Sequence, residues 1–452
     1  MLECLDFIEV EKDAAVRRHS SRKNLFVNPC GEVWEGIIVI HTMELIHPIA
    51  ESDIRRAWQC ITRNMEKMHP DRDLENLTRR MLKSVSKGDG RLDAYREDER
   101  CRVTLADYDT STKFSSEAHV GSGINSIKMI RQCAITYADG MEKTVGMLKC
   151  SFFLIVQLNP RVMLDSLDEY TIHLYEATDE NNEIVGQKFS HRMRDLFQDV
   201  PGLQYLCNFR DWNCHRVDYT CNMRFEDDDT FELFKKLVHK TSEFTRTELI
   251  LMKDKKLFEQ SAAEGNKSYK SLFYDKYKDI AEKKGIDETR RNGLLPEAKH
   301  VVRFEQQCRK EKVRALKRKY KFPDLQAWRF LREDIAREVL LQRYDKMVGD
   351  GDFYKRKEAR AIICKNVEKK FMQKRLIQFL QLIARTRHVA TARSYFISQT
   401  FDGDKFPLAH GTIQTFHART KQLRNLGINP VLIVDKCPVE YLRNPKHFIL
   451  ES

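Results

Sequence analysis

The chain has 452 residues, with 79 lysines and arginines against 67 aspartates and glutamates, so its formal net charge is +12 at pH 7. This length allows two or three domains, and the excess of positive charge favours a polyanionic partner such as nucleic acid. The sequence contains no apolar run of about 18 residues, which excludes a membrane-spanning helix, and the acids within residues 1–6 argue against a secretory signal. We therefore expect a cytoplasmic protein.

The N-terminal region, residues 1–125, predicts mixed α/β structure without a diagnostic motif. Residues 1–12 alternate as a first strand would and are able to join the sheet that follows, and residues 36–46 predict another strand. Apolar side chains recur with helical period over residues 50–85, and residues 87–90 predict a turn or linker. We assign no function to this region.

Residues 126–322 alternate between strand and helix patterns, which predicts an α+β domain with a mainly antiparallel sheet flanked by helices. The predicted strands of this domain lie at residues 132–138, 144–158, 170–176, 214–225 and 300–309, with helical spacing at 189–197 and 231–238. The acidic run at 226–229 immediately precedes the second helical pattern. Helix capping is therefore favoured over a metal site there.

Two of these strands each place one carboxylate beside an arginine on a polar face. In residues 214–222, Asp218 alternates with apolar side chains and shares its face with Arg216, and in residues 300–309, Glu305 shares its face with Arg303. Carboxylate oxygens bind hard divalent cations, and a Mg²⁺ site usually needs only one or two of them. The alternative for each strand is a cross-strand ion pair, which contributes little when exposed.

A third segment, residues 267–279, supplies a candidate nucleophile. If its first half is a strand, one face carries Leu272, Tyr274, Lys276 and Lys278, whereas Tyr277 lies on the other face with Phe273. A nearby positive charge favours the phenolate form of a tyrosine, whose pKa is otherwise about 10. The alternative is the end of an amphipathic strand with solvated lysines.

The order of these three motifs resembles a known family. Residues 216–218 (Arg-Val-Asp), 273–276 (Phe-Tyr-Asp-Lys) and 302–305 (Val-Arg-Phe-Glu) are similar to motifs of the phage and plasmid rolling-circle replication initiators of the gene II/X type, relatives of the filamentous-phage gene II replication endonuclease. An apolar strand ending in Asn159-Pro160 and a late Leu-x-x-Leu-Gly-Ile helix at residues 423–428 also fit. The resemblance covers roughly residues 145–430, and because the motifs are short, their order and spacing carry its specificity.

The resemblance implies a nicking reaction. Tyr274 would attack a phosphodiester at the origin, form a 5′-phosphotyrosine link, release a 3′-OH primer and later allow the strand to be rejoined. Asp218 and Glu305 would hold Mg²⁺ or Mn²⁺ against the scissile phosphate, and Lys276 would stabilise the phenolate or the pentavalent phosphorus. Arg216 and Arg303 would clamp phosphate. The expected partners are the origin DNA of a phage or plasmid and a host polymerase and helicase, in the cytoplasm of a bacterial host cell.

The full ligand set of the metal stays open. Many rolling-circle nickases use a pair of histidines separated by one apolar residue, and none of the 14 histidines here lies two residues from another. The gene II/X type lacks that pair as well, so its absence separates subfamilies. His215 is a possible third ligand, although alternation places it opposite Asp218.

The C-terminal third is basic and helical. Residues 309–321 hold eight basic residues and one acid, which predicts either a solvated helix face or a ridge that follows phosphates. The residues proposed for DNA contact beside the two arginines are Lys278, Arg309, Lys310, Lys312 and Arg314. Residues 323–452 predict a helical domain that either reads duplex DNA or packs against the sheet. A helix is expected to begin after residues 411–412 and to end at Gly427.

The 12 cysteines show no zinc-ligand spacing, so we expect free and mostly buried thiols.

Three functions follow from the motifs and the charge of the chain. The first is a tyrosine nickase that initiates rolling-circle replication. The alternatives are a non-catalytic origin-binding protein, in which Tyr274 is structural, and a tyrosine transposase or relaxase.

Overall fold

The computed structural model describes residues 38–61 except 55 and 58, 112–113, 123–137, 146–165, 173–197, 200–241, 261–398 except 267, 284–285 and 287, and 407–450. The strand predicted at residues 1–12, most of the helix predicted over 50–85 and the turn at 87–90 lie outside these residues. Within the described residues the fold is α+β, as predicted.

Eight of the described strands form one sheet, in which every neighbouring pair is antiparallel. In chain order they are β1 (Ile38–Ile49), β2 (Thr112–Lys113), β3 (Ile124–Tyr137), β4 (Gly146–Leu158), β5 (Asn213–Arg224), β6 (Ser261–Gly265), β7 (Tyr269–Asp275) and β8 (Val301–Cys308). Their order across the sheet is β2-β3-β4-β1-β5-β8-β7-β6. The two halves of the sheet are therefore joined through the pairing of β1 with β5.

Along the chain, the described helices lie before β5, between β5 and β8, and after β8. They are α1 (Pro160–Asp165), α2 (Asp179–Phe197), α3 (Asp228–Thr241), α4 (Lys276–Ala281), α5 (Glu288–Ala298), α6 (Lys310–Lys319), α7 (Glu333–Met347), α8 (Arg356–Asn366), α9 (Lys370–Thr386), α10 (Val389–Ser398), α11 (Ile413–Asn425) and α12 (His447–Leu450). The short strands β9 (Phe353–Tyr354) and β10 (Tyr441–Leu442) pair with each other. Among the described residues, no helix combines the length and apolar character needed to cross a membrane.

The strands predicted at 36–46, 144–158, 214–225 and 300–309 are present, but the strand predicted at 170–176 is wrong in its described part, residues 173–176. There Tyr175 makes a single bridge to Ile40. Strand β4 pairs with β1 only from Met43 onward. The edge of β1 before Met43 is therefore open on that side, and Tyr175 forms its single bridge there.

The prediction that the strand of Tyr274 continues through the following lysines is also wrong. Strand β7 ends at Asp275, whose carboxylate accepts a hydrogen bond from the Lys278 backbone N–H at 3.1 Å and caps α4. An aspartate at the N-cap favours the start of a helix, because it satisfies an N–H that has no partner within the helix. Lys276 and Lys278 therefore lie in the first turn of a helix and not on the strand face of Tyr274.

Other termini follow the expected capping chemistry. Asp227 accepts from the Thr230 N–H at 2.7 Å at the start of α3, as predicted for the acidic run. The Asn159 side chain accepts from two N–H groups of α1, which begins at Pro160, so this Asn-Pro pair has a structural role. Thr412 caps α11 and Gly427 follows it with a φ of 75°, a conformation that favours glycine.

The cysteines whose side chains are described are free, and five of these seven are buried, as predicted.

The core lies between one face of the sheet and α7. Tyr344 of α7 packs edge-on against Phe273 and Phe304, at ring-centroid distances of 6.0 and 5.9 Å. Helix α7 also contacts β1 and β5, and the buried side chains of the sheet and of the C-terminal helices form one continuous cluster. The domain boundary predicted between residues 322 and 323 stays a prediction, since α7 belongs to this shared core.

Replacement of Phe304 by alanine is expected to destabilise the fold strongly. Phe304 is fully buried and stacks on Phe273 at a centroid distance of 4.3 Å, so the substitution removes a large apolar contact and leaves a cavity. We expect a loss of about 3–5 kcal/mol in the free energy of unfolding, measured by urea denaturation. The control Ile397→Ala, at a side chain 44% exposed, should change it by less than about 1 kcal/mol. An equal loss for both variants would contradict this description of the core.

Candidate active site

The three motif strands are neighbours in the sheet, in the order β5, β8, β7. Residues that face each other across antiparallel strands share one side of the sheet. Asn222, Arg303 and Tyr274 form one such row. The next row holds Thr220, Glu305 and Leu272, and the third holds Asp218, Gln307 and Lys270. The structure therefore brings Tyr274, Asp218, Glu305 and Arg303 together on one face, which we call the polar face.

Tyr274 is half-buried, and its hydroxyl lies 3.3 Å from Glu305 Oε2 in a hydrogen bond to that carboxylate. The other oxygen of Glu305 accepts from Gln307 Nε2 at 2.8 Å. Burial and then the charge of Glu305 raise the pKa of Tyr274 well above its ordinary value, and Arg303 acts in the opposite direction. The phenol is therefore protonated at neutral pH and is held beside a group that can accept its proton.

This result corrects the expectation that neighbouring lysines favour the phenolate. Lys276 is only 3% exposed, and its ammonium group donates to Asp279 Oδ2 at 2.8 Å. The cation that lowers the pKa of Tyr274 is Arg303, which is fully buried and donates to Asn222 Oδ1 at 2.9 Å. Burial outweighs these charges, because removing a phenolate from water disfavours it more than one adjacent cation favours it.

Lys276 has an unusual proton affinity for a lysine. Burial, and then the charge of Arg303, lower its pKa to about 8, although Asp279 raises it. A buried ammonium group with a pKa of about 8 loses its proton at mildly alkaline pH, where an exposed lysine keeps it. Lys278 is half-exposed in the same helix turn.

Asp218 is nearly fully buried and pairs with Arg216 through both carboxylate oxygens. Burial raises the pKa of Asp218 to about 7, with Glu305 and Glu44 adding to this effect and Arg216 opposing it. The guanidinium of Arg216 also lies 3.4 Å from Glu44 of β1. Glu44, Asp218 and Glu305 thus lie on three neighbouring strands, β1, β5 and β8, and their combined negative charge favours further positive charge at this place.

The donor set fits one Mg²⁺ or Mn²⁺ ion held with substrate. Asp218 and Glu305 are diagonal neighbours on the polar face, a relation in which side chains are about 7–8 Å apart, and two carboxylates are enough for Mg²⁺ when substrate phosphate supplies further oxygens. In the described part of the chain, no group of three or more metal-binding side chains occurs. Asp218 would have to release at least one oxygen from Arg216 to bind the ion. The metal roles of these two residues stay predictions.

A bulge removes the basis of the argument about His215. The pairing of β5 with β1 shifts register between Glu44 and Leu45, so strict alternation fails at residues 214–216. Burial lowers the pKa of His215 and Glu44 raises it, which places these two groups close to each other. His215 is thus not separated from the carboxylates in the way that alternation predicts.

Strand β1 contributes residues that the motif analysis missed. Thr42 faces Asp218, and Glu44 faces Arg216. A second register shift lies between Ile40 and Thr42, so His41 is at a bulge of the strand. Its Nδ1 lies 2.8 Å from Thr42 Oγ1. Burial, then Arg303 and Lys276, lower the pKa of His41, so a neutral imidazole borders the site. The available signal was the grouping of His41, Thr42 and Glu44 within four positions of a mostly apolar strand.

Four of the five residues proposed for DNA contact beside the two arginines follow the end of β8, namely Arg309, Lys310, Lys312 and Arg314. Lys278 instead follows the end of β7, which pairs with the start of β8. Helix α6 packs on β5 and β8 through the buried Val313 and Leu316. Three of these basic residues have described contacts within the protein: Arg309 with the backbone oxygen of Asn266, Lys312 with Gln342, and Arg314 with Glu311. Lys310 and Arg314 are close enough to lower the pKa of His215. Their contact with DNA stays a prediction.

Comparisons with models of known families, with curated proteins and with solved structures found no match to this chain. The resemblance to the gene II/X initiators therefore depends on the short motifs alone.

Proposed function

We propose that the protein is a rolling-circle replication initiator that nicks one DNA strand through Tyr274. The observation that carries the proposal is the hydrogen bond between the Tyr274 hydroxyl and Glu305, on the same sheet face as Asp218 and Arg303. A tyrosine with a purely structural role does not require a carboxylate acceptor and a buried arginine beside it. The arrangement has the parts of an activated nucleophile, which are a hydroxyl, a base and charges that stabilise the transition state.

In the proposed reaction, Tyr274 Oη attacks the scissile phosphorus and Glu305 Oε2 accepts the phenolic proton. The new bond joins Tyr274 to the 5′-phosphate, and the bond from phosphorus to the 3′-oxygen breaks, so that oxygen leaves and takes a proton from water to become the 3′-OH. Lys276 and Arg303 stabilise negative charge that develops on the phosphate oxygens. A metal ion held by Asp218 and Glu305 would supply charge neutralisation at the phosphate when bound. Rejoining is the same reaction in reverse.

The proposal is tested with a supercoiled plasmid that carries the protein's own replicon, incubated with purified protein and either Mg²⁺ or EDTA. We expect nicked circles and a DNA–protein adduct only with Mg²⁺, and peptide mass mapping should locate the adduct on Tyr274. Specific binding of the plasmid without an adduct would instead favour a non-catalytic origin-binding protein. An adduct on Tyr277 or Tyr269 would keep the nickase function and reject the assignment of the nucleophile.

The nicking rate is expected to fall as the pH rises through about 8, because the pKa of Lys276 is about 8 and only its protonated form stabilises negative charge. Above this pKa, the decrease should approach about tenfold per pH unit. Lys276→Arg should shift the decrease to higher pH, since arginine keeps its charge, whereas the control Lys278→Arg should leave the profile unchanged. The measurement is the single-turnover nicking rate between about pH 6 and about pH 10. A rate that rises throughout this range in wild type would contradict the role of Lys276.

A further inference from the structure

A second concentration of positive charge lies among the C-terminal helices. Two adjoining cavities of about 580 and 460 Å³ are both bordered by Arg356 and Asp435. Their charged lining consists of five basic residues and one acid; the basic residues are Lys240, Arg356, Lys357, Arg360 and Arg387. We call this surface the basic cleft. Its floor is apolar and includes Ile383 and Leu380.

The charge of the basic cleft is largely uncompensated. Arg356 pairs with Asp435 at 3.1 Å, but among the residues that the structure describes no acid lies within ion-pair distance of Lys240, Lys357, Arg360 or Arg387. Burial lowers the pKa of the half-buried Lys240, and Arg387 and Lys236 add to this effect. Cations held together in this way repel one another, which destabilises the fold unless an anion binds.

Another cavity, between α2 and residues 322–332, provides a contrast. This cavity of about 720 Å³ also contains arginines, but three of them form close ion pairs, namely Arg210 with Glu183, Arg329 with Asp324 and Arg332 with Asp334. Its charge is therefore satisfied within the protein. The basic cleft differs because its arginines and lysines remain available to an external anion.

Helix stability does not explain the cations of the basic cleft. Arg356 and Lys357 occupy the first turn of α8, where the helix dipole disfavours positive charge. Arg387 ends α9 with a φ of 60°, a left-handed conformation that favours glycine or asparagine at this position. Local preference therefore disfavours Arg356 and Lys357 through their charge and Arg387 through its backbone conformation, and such locally unfavourable residues cluster at ligand sites.

The basic cleft lies on the side of the sheet opposite to Tyr274. Lys240 lies in the last turn of α3, whose Phe234 packs edge-on against Phe273 at a centroid distance of 6.1 Å. Phe273 and Tyr274 are consecutive residues of β7, so their side chains point to opposite faces. The basic cleft is therefore a surface separate from the polar face.

We infer that the basic cleft binds the phosphate backbone of a duplex DNA segment outside the nick site. The inference rests on the proposed function for the choice of DNA, and the charge and shape of the cleft support a phosphate ligand directly. Lysine and arginine contacts to phosphate are independent of sequence and release counterions, so they make binding steeply dependent on salt. The cleft would hold the flanking duplex while the polar face acts on the scissile strand.

The test compares two double variants with the same change in net charge. K357E/R360E changes two exposed cleft residues without ion pairs, and R192E/K421E changes two exposed basic residues elsewhere. We expect K357E/R360E to weaken binding to a long duplex by about 10- to 100-fold at roughly 0.1 M salt, and to reduce the slope of log affinity against log salt by about 2. R192E/K421E should change affinity by less than about threefold. Thermal melting of each variant checks that the fold is retained.

Equal weakening of duplex binding by both double variants, or no weakening by either, would overturn the inference. It would also be overturned if K357E/R360E lost binding to anionic phospholipid vesicles but kept its affinity for duplex. Failure of the nickase proposal gives a different result, namely wild-type protein that forms no adduct with DNA yet binds duplex through the cleft. Nicking of a short single-stranded oligonucleotide should be unchanged in K357E/R360E, because such a substrate does not extend to the cleft.

Discussion

Tyr274→Phe is expected to abolish DNA nicking and the covalent DNA–protein adduct, with a loss of more than about 10³-fold in rate. The substitution removes only the hydroxyl that donates to Glu305 at 3.3 Å, and the aromatic ring keeps its place on β7. DNA affinity and thermal stability should therefore remain close to those of wild type. The measurements are single-turnover nicking of supercoiled plasmid, gel detection of the adduct, and affinity for the same DNA at fixed salt.

The matched control is Tyr277→Phe. Tyr277 lies in α4 only three positions along the chain, and its side chain is 40% exposed. It should nick at the wild-type rate. Retention of nicking by Tyr274→Phe would require withdrawal of the nucleophile assignment, and loss in both variants would indicate that the segment, and not one hydroxyl, is needed.

Glu305→Gln and Asp218→Asn should each reduce nicking by about 10²- to 10⁴-fold, for different reasons. Glutamine at position 305 still accepts a hydrogen bond but is not a base for the Tyr274 proton. Asparagine at position 218 removes a charge that would bind metal, and it leaves Arg216 with one acceptor in place of the two oxygens of Asp218. Both variants should continue to bind DNA. The measurement is the nicking rate over a range of Mn²⁺ concentrations.

The response to metal separates the two roles. Excess Mn²⁺ should restore part of the activity of Asp218→Asn, since a weakened metal site is filled by mass action, but it should restore little in Glu305→Gln if the base is missing. Equal rescue of both variants would assign both carboxylates to metal binding alone. Loss of cooperative unfolding in either variant would show that its carboxylate is needed for the fold, because a buried arginine or tyrosine left without its partner is destabilising.

Much of the polar face could be predicted from alternation along single strands. The rule of period two placed Glu305 with Arg303, because β8 is regular there. It also placed Arg216 with Asp218, since the irregular part of β5 ends before the pairing of Arg216 with Glu44. The adjacency of β5, β8 and β7 could not be predicted in this way, since strand order depends on contacts between segments far apart in the chain. The resemblance to the gene II/X initiators supplied the expectation that these segments act together.

The errors arose where a local interaction changes the backbone. Asp275 ends β7 by capping α4, so the expected lysine face of that strand does not exist. The two bulges of β1 against β5 alter the positions of His41 and His215, and one extra residue in a strand is not visible in an apolar pattern. The pKa of Tyr274 was expected to be lowered by cations, but it is raised, because burial depends on the whole packed structure.

The central place of β1 has a consequence for synthesis of the chain. Strand β1 can pair with β4, and β4 with β3, as soon as the ribosome has made residues 38–158, whereas the partner of Ile40 on the other side is Tyr219 in β5. Synthesis of the residues up to the end of β5 takes on the order of ten seconds more, at about 5–20 residues per second. During this time the backbone groups on one edge of β1 have no strand partner. Unpaired edges of this kind promote aggregation between chains. The yield of soluble protein should therefore depend on how quickly translation reaches residue 224, and slow codons between β4 and β5 should reduce it.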